Sequence, residues 1–190
     1  MPRWEPNGRQ RLSRAALELF AEQGYENTTV AEITGRAGMA SSTFFRHFGD
    51  KREVLFIGQD ILARLLADGV AAAPAGATPL EAVAAALDAA AAGFPADLQD
   101  LAPQRAAVIA ATPPLQERET LKNAGCVAVI AAALRERGVA DPVAGIAAEL
   151  GMLAYKAAQA RWAAPGNQQS LRELARAALK DVQAATREIR

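Results

Sequence analysis

The chain has 190 residues, 51% of them hydrophobic, with 21 Lys+Arg against 21 Asp+Glu, one His and one Cys. That length can bury a sizeable core in one or two domains, while zero net charge provides no global field to draw the chain to a polyanion. A single cysteine, Cys126, excludes an intramolecular disulfide framework and a Cys-based zinc site. A lone His beside a lone Cys also removes the main metal-ligand and nucleophile constellations, so neither an enzyme nor a cofactor or metal is expected.

No apolar run approaches about 18 residues free of charge. The start, MPRWEPNGRQ, lacks an apolar signal core. A cytoplasmic protein with no membrane partner is the expectation. Met1 to Phe56 holds 8 Lys+Arg and 7 Asp+Glu, leaving 13 and 14 for the remainder. Any electrostatic recognition must therefore rely on a few placed cations.

In chain order, Met1 to Gly8 reads as an arm, with Arg3 able to reach a minor groove if the arm is not simply a disordered tail. A first helix runs from Arg9 to Gln23, with Leu12, Ala16, Leu19 and Phe20 at helical spacing and Gly24 as its stop. Tyr25 packs back on its last turn. The stretch Thr28 to Lys51, TTVAEITGRAGMASSTFFRHFGDK, carries the functional signal. Thr29-Val30-Ala31-Glu32 has capping-box spacing, starting a short helix with Val30, Ile33 and Ala37 on its apolar side. Gly38 ends it, and a second helix follows from Ser41 to Phe48. Helix, glycine turn, helix is the helix-turn-helix pattern, whose second helix lies in the DNA major groove. Phe44 and Phe48 are i, i+4 and anchor that helix. Ser41, Ser42, Phe45, Arg46 and His47 remain for the other sides, as short hydroxyls, one ring and nitrogen donors suited to phosphates and base edges.

Asp50 begins a fourth helix expected over 51–69, roughly 30 Å long, with stripes Val54, Ile57, Ile61, Leu65 and Leu55, Leu62, Leu66. Buried on two sides, it reads as a connector between head and body. Pro74, Gly76 and Pro79 mark a loop. Further helices are expected from Thr78 to Gly93, Arg105 to Ala111, Pro113 to Arg137, 141–163 and 168–189, with no strand pattern anywhere. The fold class is all-α with about nine helices.

The eighth helix has two apolar faces. Ile146, Leu150, Leu153, Ala157 and Ala160 form one, and Met152, Tyr155, Gln159 and Trp162 the other. The ninth offers Leu171, Leu174, Ala178 and Val182. The two helices are candidates for an intermolecular four-helix bundle, the alternative being that both faces bury within one subunit. The candidate dimer residues are Ile146, Leu150, Leu153, Ala157, Leu171, Leu174, Ala178 and Val182. Phe94, Arg105, Asn123, Met152, Tyr155, Gln159 and Trp162 are candidates to line a small-molecule cavity, with ordinary core as the alternative for each.

TTVAEITGRAG…STFFRHFGDKREVL resembles the N-terminal domain of the TetR family of transcriptional repressors, over about the first 56 residues. The resemblance implies an all-helical homodimer that binds a near-palindromic double-stranded DNA operator and is released by a small-molecule effector. It divides the chain into a DNA-binding domain, 1–50, and a regulatory helical domain, 51–190. It carries DNA contact onto Thr29, Ser41, Ser42, Thr43, Phe45, His47 and Lys51, with Arg46 either a contact or a surface charge. Thr29 and Lys51 stand at helix N-termini, which favour phosphate. Two departures matter. Ala40 stands where members often have a Ser N-cap, so Ser41 is expected to cap instead. Phe45 stands where many have Tyr; it can touch a thymine methyl but cannot donate a hydrogen bond. The rival reading is a helical dimeric interaction module that does not read DNA.

Overall fold

The computed structural model describes residues 8–93 and 101–189. Among them the chain forms nine α-helices and one 3-10 turn, without a strand: α1 (Gly8–Gln23), α2 (Val30–Arg36), α3 (Ser41–His47), the 3-10 turn Lys51–Leu55, α4 (Gln59–Ala71), α5 (Pro79–Ala92), α6 (Ala102–Ala110), α7 (Pro113–Glu136), α8 (Val143–Trp162) and α9 (Leu171–Glu188). The chain is all-α, as its periodicity implies. The arm with Arg3, and the cavity candidate Phe94, lie outside the described residues.

Local chemistry sets most boundaries. Capping boxes form at Thr29/Glu32, Thr78/Glu81 and Ser170/Glu173, each hydroxyl accepting from the N3 amide and each carboxylate accepting from the cap amide. The stop after α2 is a Schellman motif. Gly38 has φ +65, the Met39 amide donates to the Thr34 carbonyl (2.8 Å), and the Gly38 amide donates to Gly35 (3.0 Å). The cap of α3 differs from expectation. Ala40 is the N-cap residue and makes no side-chain bond, while Ser41 is already the first helical residue.

The fourth helix also departs from expectation. Instead of one helix over 51–69 there is a 3-10 turn and a separate α4. The Asp50 carboxylate accepts from the amides of Arg52 (2.8 Å) and Glu53 (3.1 Å), which starts the turn. Phe56 then leaves helical geometry, and Gly58, at φ +83, ends the continuity. The helical spacing of Val54 and Ile57 hid this break.

The chain packs as two units. The first comprises residues up to Gly58 together with Gln104–Glu119. Leu12, Ala16 and Phe20 of α1, Ile33 of α2, Phe44 and Phe48 at α3, and Val54 and Phe56 are all buried in it. Val108, Ile109 and Leu115 are buried as well. Arg105 ties α6 into this unit: its Nε donates to the Leu55 carbonyl (3.0 Å), its guanidinium lies 5.3 Å from the Phe56 ring centre, and it pairs with Glu119 (3.4 Å). Arg118 pairs with Glu53. Arg105 thus belongs with the head, not with the body cavity to which the sequence assigned it.

The second unit comprises Gln59–Pro103 and the chain from Thr120 onward. Here α4 packs on α5, α8 on α9, and α5 against both α8 and α9. Leu66, Val70, Val83, Leu87, Ile130, Leu134, Met152, Tyr155 and Trp162 form one buried cluster, filled out with alanines. Leu171, Leu174 and Ala178 of α9 belong to it, each no more than 4% exposed. They pack inside the subunit and do not face outward as a dimer seam would require. Of the α9 stripe, Val182 alone among the dimer candidates is half-buried.

Small residues let α4 and α5 approach closely. A Cβ added at Gly69 would stand 2.5 Å from the Ala86 Cα and 3.0 Å from the Ala85 carbonyl oxygen, backbone that cannot swing aside. At Gly125, exposed in α7, nothing lies within 4 Å. Gly69→Ala is expected to lower the urea-unfolding free energy by about 1–3 kcal/mol through overpacking. Gly125→Ala, gaining helix propensity with no clash, is expected to raise it by up to about 1 kcal/mol. Equal effects of the two substitutions would contradict the close crossing.

Candidate nucleic-acid interface

Helix α3 sorts its residues sharply. Phe44 is fully buried and Phe48 is 3% exposed, their ring centres 5.2 Å apart. Burying two such rings contributes several kcal/mol at about 2–3 kcal/mol each, and it fixes which side of the helix turns outward. That side carries Ser41, Ser42, Phe45 and Arg46, all exposed, with Thr43 and His47 half-buried at its margins. Phe45 is 62% exposed and leans edge-on against Phe44, centres 5.5 Å apart.

The α2–α3 turn is held from below. The Thr34 hydroxyl, 1% exposed, donates to the carbonyl of Val30 or Ala31, both at 3.0 Å, and lies 3.3 Å from the Ser41 hydroxyl. From α1, Arg11 donates to the Ala37 carbonyl at 2.5 Å. This clamps the first helix to the last carbonyls of α2, where a guanidinium also suits the helix dipole.

Two sequence-assigned contacts have other duties. The Thr29 hydroxyl both accepts from the Glu32 amide (3.2 Å) and donates to the Glu32 carboxylate (2.7 Å). A carboxylate already occupies the α2 N-terminus, and its pKa is lowered first by the Thr29 backbone bond. The Lys51 ammonium donates to the carbonyls of Tyr25 (2.7 Å) and Thr28 (2.9 Å) and sits 4.0 Å from the Tyr25 ring centre. It bolts the α1–α2 loop to the turn after α3. An ammonium has three donors, so one remains for an outside acceptor. Tyr25 itself stacks edge-on against Phe20 at 5.1 Å, packing on the end of α1 as its position suggests.

The near-neutral charge of this unit conceals local order. Glu22 and Glu18 face Arg36, at 2.8 and 3.5 Å from its guanidinium, and Asp50 binds Arg52 at 2.8 Å. Glu53 is engaged by Arg118 and Glu32 by its cap. Beside α3 the balance is positive. His47 is held below its ordinary pKa of 6.5 by burial first, then by the charges of Arg46 and Arg9. Arg9, whose guanidinium lies 5.4 Å from the Phe48 ring centre, is a member of the site that the sequence did not disclose. It stands 38 residues before His47 in the chain, and no local pattern links them. Packing alone does.

The other candidate sets fare differently. Met152, Tyr155 and Trp162 come together in the core of the second unit, with Gln159 half-buried on the same helix and Asn123 half-buried on α7. On α8 the face that stays outside is the other one: Val143, Ile146 and Leu153 are 50%, 56% and 54% exposed, with Leu150 and Ala157 half-buried between them. Among the described residues no helix is long and apolar enough to cross a membrane, and no group of three or more His, Cys, Asp or Glu could hold a metal ion.

This head has known counterparts. Residues 12–56 match the family described as bacterial regulatory proteins, tetR family. The HTH-type transcriptional regulator TcmR of Streptomyces glaucescens is 41% identical over 78 residues, 41% of this chain and 34% of that protein. The chain therefore matches about a third of this relative's length. FadR of Thermus thermophilus, a TetR-family transcriptional repressor solved in complex with lauroyl-CoA, is 28% identical with a TM-score of 0.55, covering 92% of this chain and 93% of that one. A TetR-family regulator from Syntrophomonas wolfei shares the fold at a TM-score of 0.63 and 18% identity, over 93% of both chains. With its glycine turn and its buried Phe44–Phe48 anchor, the head of this chain is similar, over residues 12–56, to the bacterial regulatory proteins of the tetR family.

Proposed function

We propose that the protein is a transcriptional repressor that binds a near-palindromic DNA operator as a homodimer. The observation that carries this is the outward face of α3, where hydroxyls and a ring are flanked by the positive charges of Arg9 and Arg46. Ser41, Ser42, Thr43 and Phe45 address base edges. Arg46, His47, Arg9 and the third Lys51 N–H address phosphates. The Thr29 hydroxyl reaches a phosphate only by giving up its bond to Glu32.

A single seven-residue helix makes few contacts, so two heads on a twofold axis reading two half-sites supply the specificity. The stripe of exposed Val143, Ile146 and Leu153 with half-buried Leu150 and Ala157 supports self-association through α8. In this reading an effector bound in the unit that begins at Gln59 shifts α4 and alters the separation of the two α3 helices. It does so only through different affinities for the two arrangements. The alanine-rich core around Met152, Tyr155 and Trp162 is where such a ligand would insert, and lauroyl-CoA, bound by the similar FadR, is the first probe. A ligand that binds tightly while operator affinity stays unchanged contradicts this part.

One observation favours a second reading, an interaction module that uses the exposed Phe45 against another protein. Salt separates the two. Selection from random DNA fragments is expected to yield one palindromic motif. Affinity for it should fall with salt at a slope of about −0.9 per neutralised phosphate, and Arg46→Ala should reduce that slope by about 0.9 per head. Recovery of no motif at low salt would favour the interaction module.

His47 gives a pH signature. Its free pKa is depressed, and a phosphate neighbour raises it in the complex. Binding then takes up a proton, so operator affinity rises as pH falls from about 8 toward 6. His47→Gln is expected to abolish that rise.

For the dimer, Ile146→Glu with Leu153→Glu should convert the protein to a monomer by sedimentation, with its helical circular dichroism retained. A dimer that persists would place the interface elsewhere.

A further inference from the structure

Phe45 is the large apolar side chain on a face otherwise made of donors. Four other phenylalanines of this unit, Phe20, Phe44, Phe48 and Phe56, are no more than 5% exposed, whereas Phe45 is 62% exposed. Its ring meets the Phe44 ring edge-on, centres 5.5 Å apart and planes at 77°, and that contact limits how it can turn. Ser41 and Ser42, one turn earlier in α3, lie on the same side.

In a major groove such a ring meets few suitable partners. The edges of guanine, cytosine and adenine present only donors and acceptors, and thymine alone adds an apolar group, its C5 methyl. A phenyl ring pressed on a guanine or cytosine edge strips water from polar groups and returns no hydrogen bond, which is unfavourable. Against a thymine methyl the same ring buries apolar surface on both partners. We infer that Phe45 reads a thymine C5 methyl, once in each half-site, and that the hydroxyls of Ser41 and Ser42 contact the adjoining base edges.

This rests on the DNA-binding reading of α3, and its test separates the two. The operator recovered by selection is synthesised with deoxyuridine replacing thymine one symmetric pair at a time. This removes the methyl and leaves base pairing intact. At one pair, wild-type affinity should fall about threefold for each methyl lost, or about tenfold for the pair. At that pair 5-methylcytosine should bind better than cytosine. Phe45→Ala should bind the thymine operator about as weakly as wild type binds the deoxyuridine one, and should be indifferent to the exchange. Because Phe45 is exposed, the variant should keep the wild-type Tm.

If an operator is recovered and no deoxyuridine pair changes wild-type affinity, the methyl contact is refuted while DNA recognition stands. The contact is refuted equally if Phe45→Ala remains as sensitive to deoxyuridine as wild type. If no operator is recovered, the DNA-binding reading fails and this inference with it.

Discussion

Everything this head presents depends on the burial of Phe44 and Phe48. A helix of seven residues is too short to be stable alone, so α3 exists because two rings one turn apart are taken out of water beneath it. That burial fixes the rotation of the helix, and rotation decides which residues point outward. The hydroxyls, Phe45 and Arg46 are exposed because their neighbours are not. The turn before α3 has no side-chain cap at Ala40. It is held by the Schellman bonds around Gly38, by Arg11 on the Ala37 carbonyl, and by the buried Thr34 hydroxyl.

Charge follows the same logic of local commitment. By net charge alone, a unit with almost equal numbers of acids and bases is a poor partner for a polyanion. Its acids, however, are largely engaged: Glu22 by Arg36, Asp50 by Arg52, Glu53 by Arg118, Glu32 by its own cap. With a Debye length of about 8–10 Å at moderate salt, a nearby phosphate senses Arg9, Arg46 and His47 rather than the net charge of the chain. Burial first, and that field second, hold the His47 pKa below its ordinary value.

Much of this was legible in the sequence. Capping boxes, Gly38, and the Phe44/Phe48 spacing are local signals, and the helices they announce are present within a residue or two. Features that depend on distant contacts were not legible. Apolar spacing across 51–69 is compatible with one helix, and only the backbone at Phe56 and Gly58 reveals the break. Lys51 looks like a free cation in sequence, yet two carbonyls of the α1–α2 loop hold its ammonium. Arg105 resembles a polar cavity residue until α6 is seen to pack with the head. On α9, Leu171, Leu174 and Ala178 form a seam equally suited to a partner or to the subunit interior, and the interior takes it. Periodicity tells that a face is buried and is silent on what buries it.

The central claim is that the outer face of α3 is the surface that meets DNA. Amide chemical-shift mapping of the labelled protein, titrated with its selected operator, tests it most directly. The account predicts that the largest shifts fall on Ser41, Ser42, Phe45, Arg46 and His47, with a second group at Arg9 and Lys51. Shifts confined to other surfaces, with α3 unmoved by a DNA that binds, would contradict it.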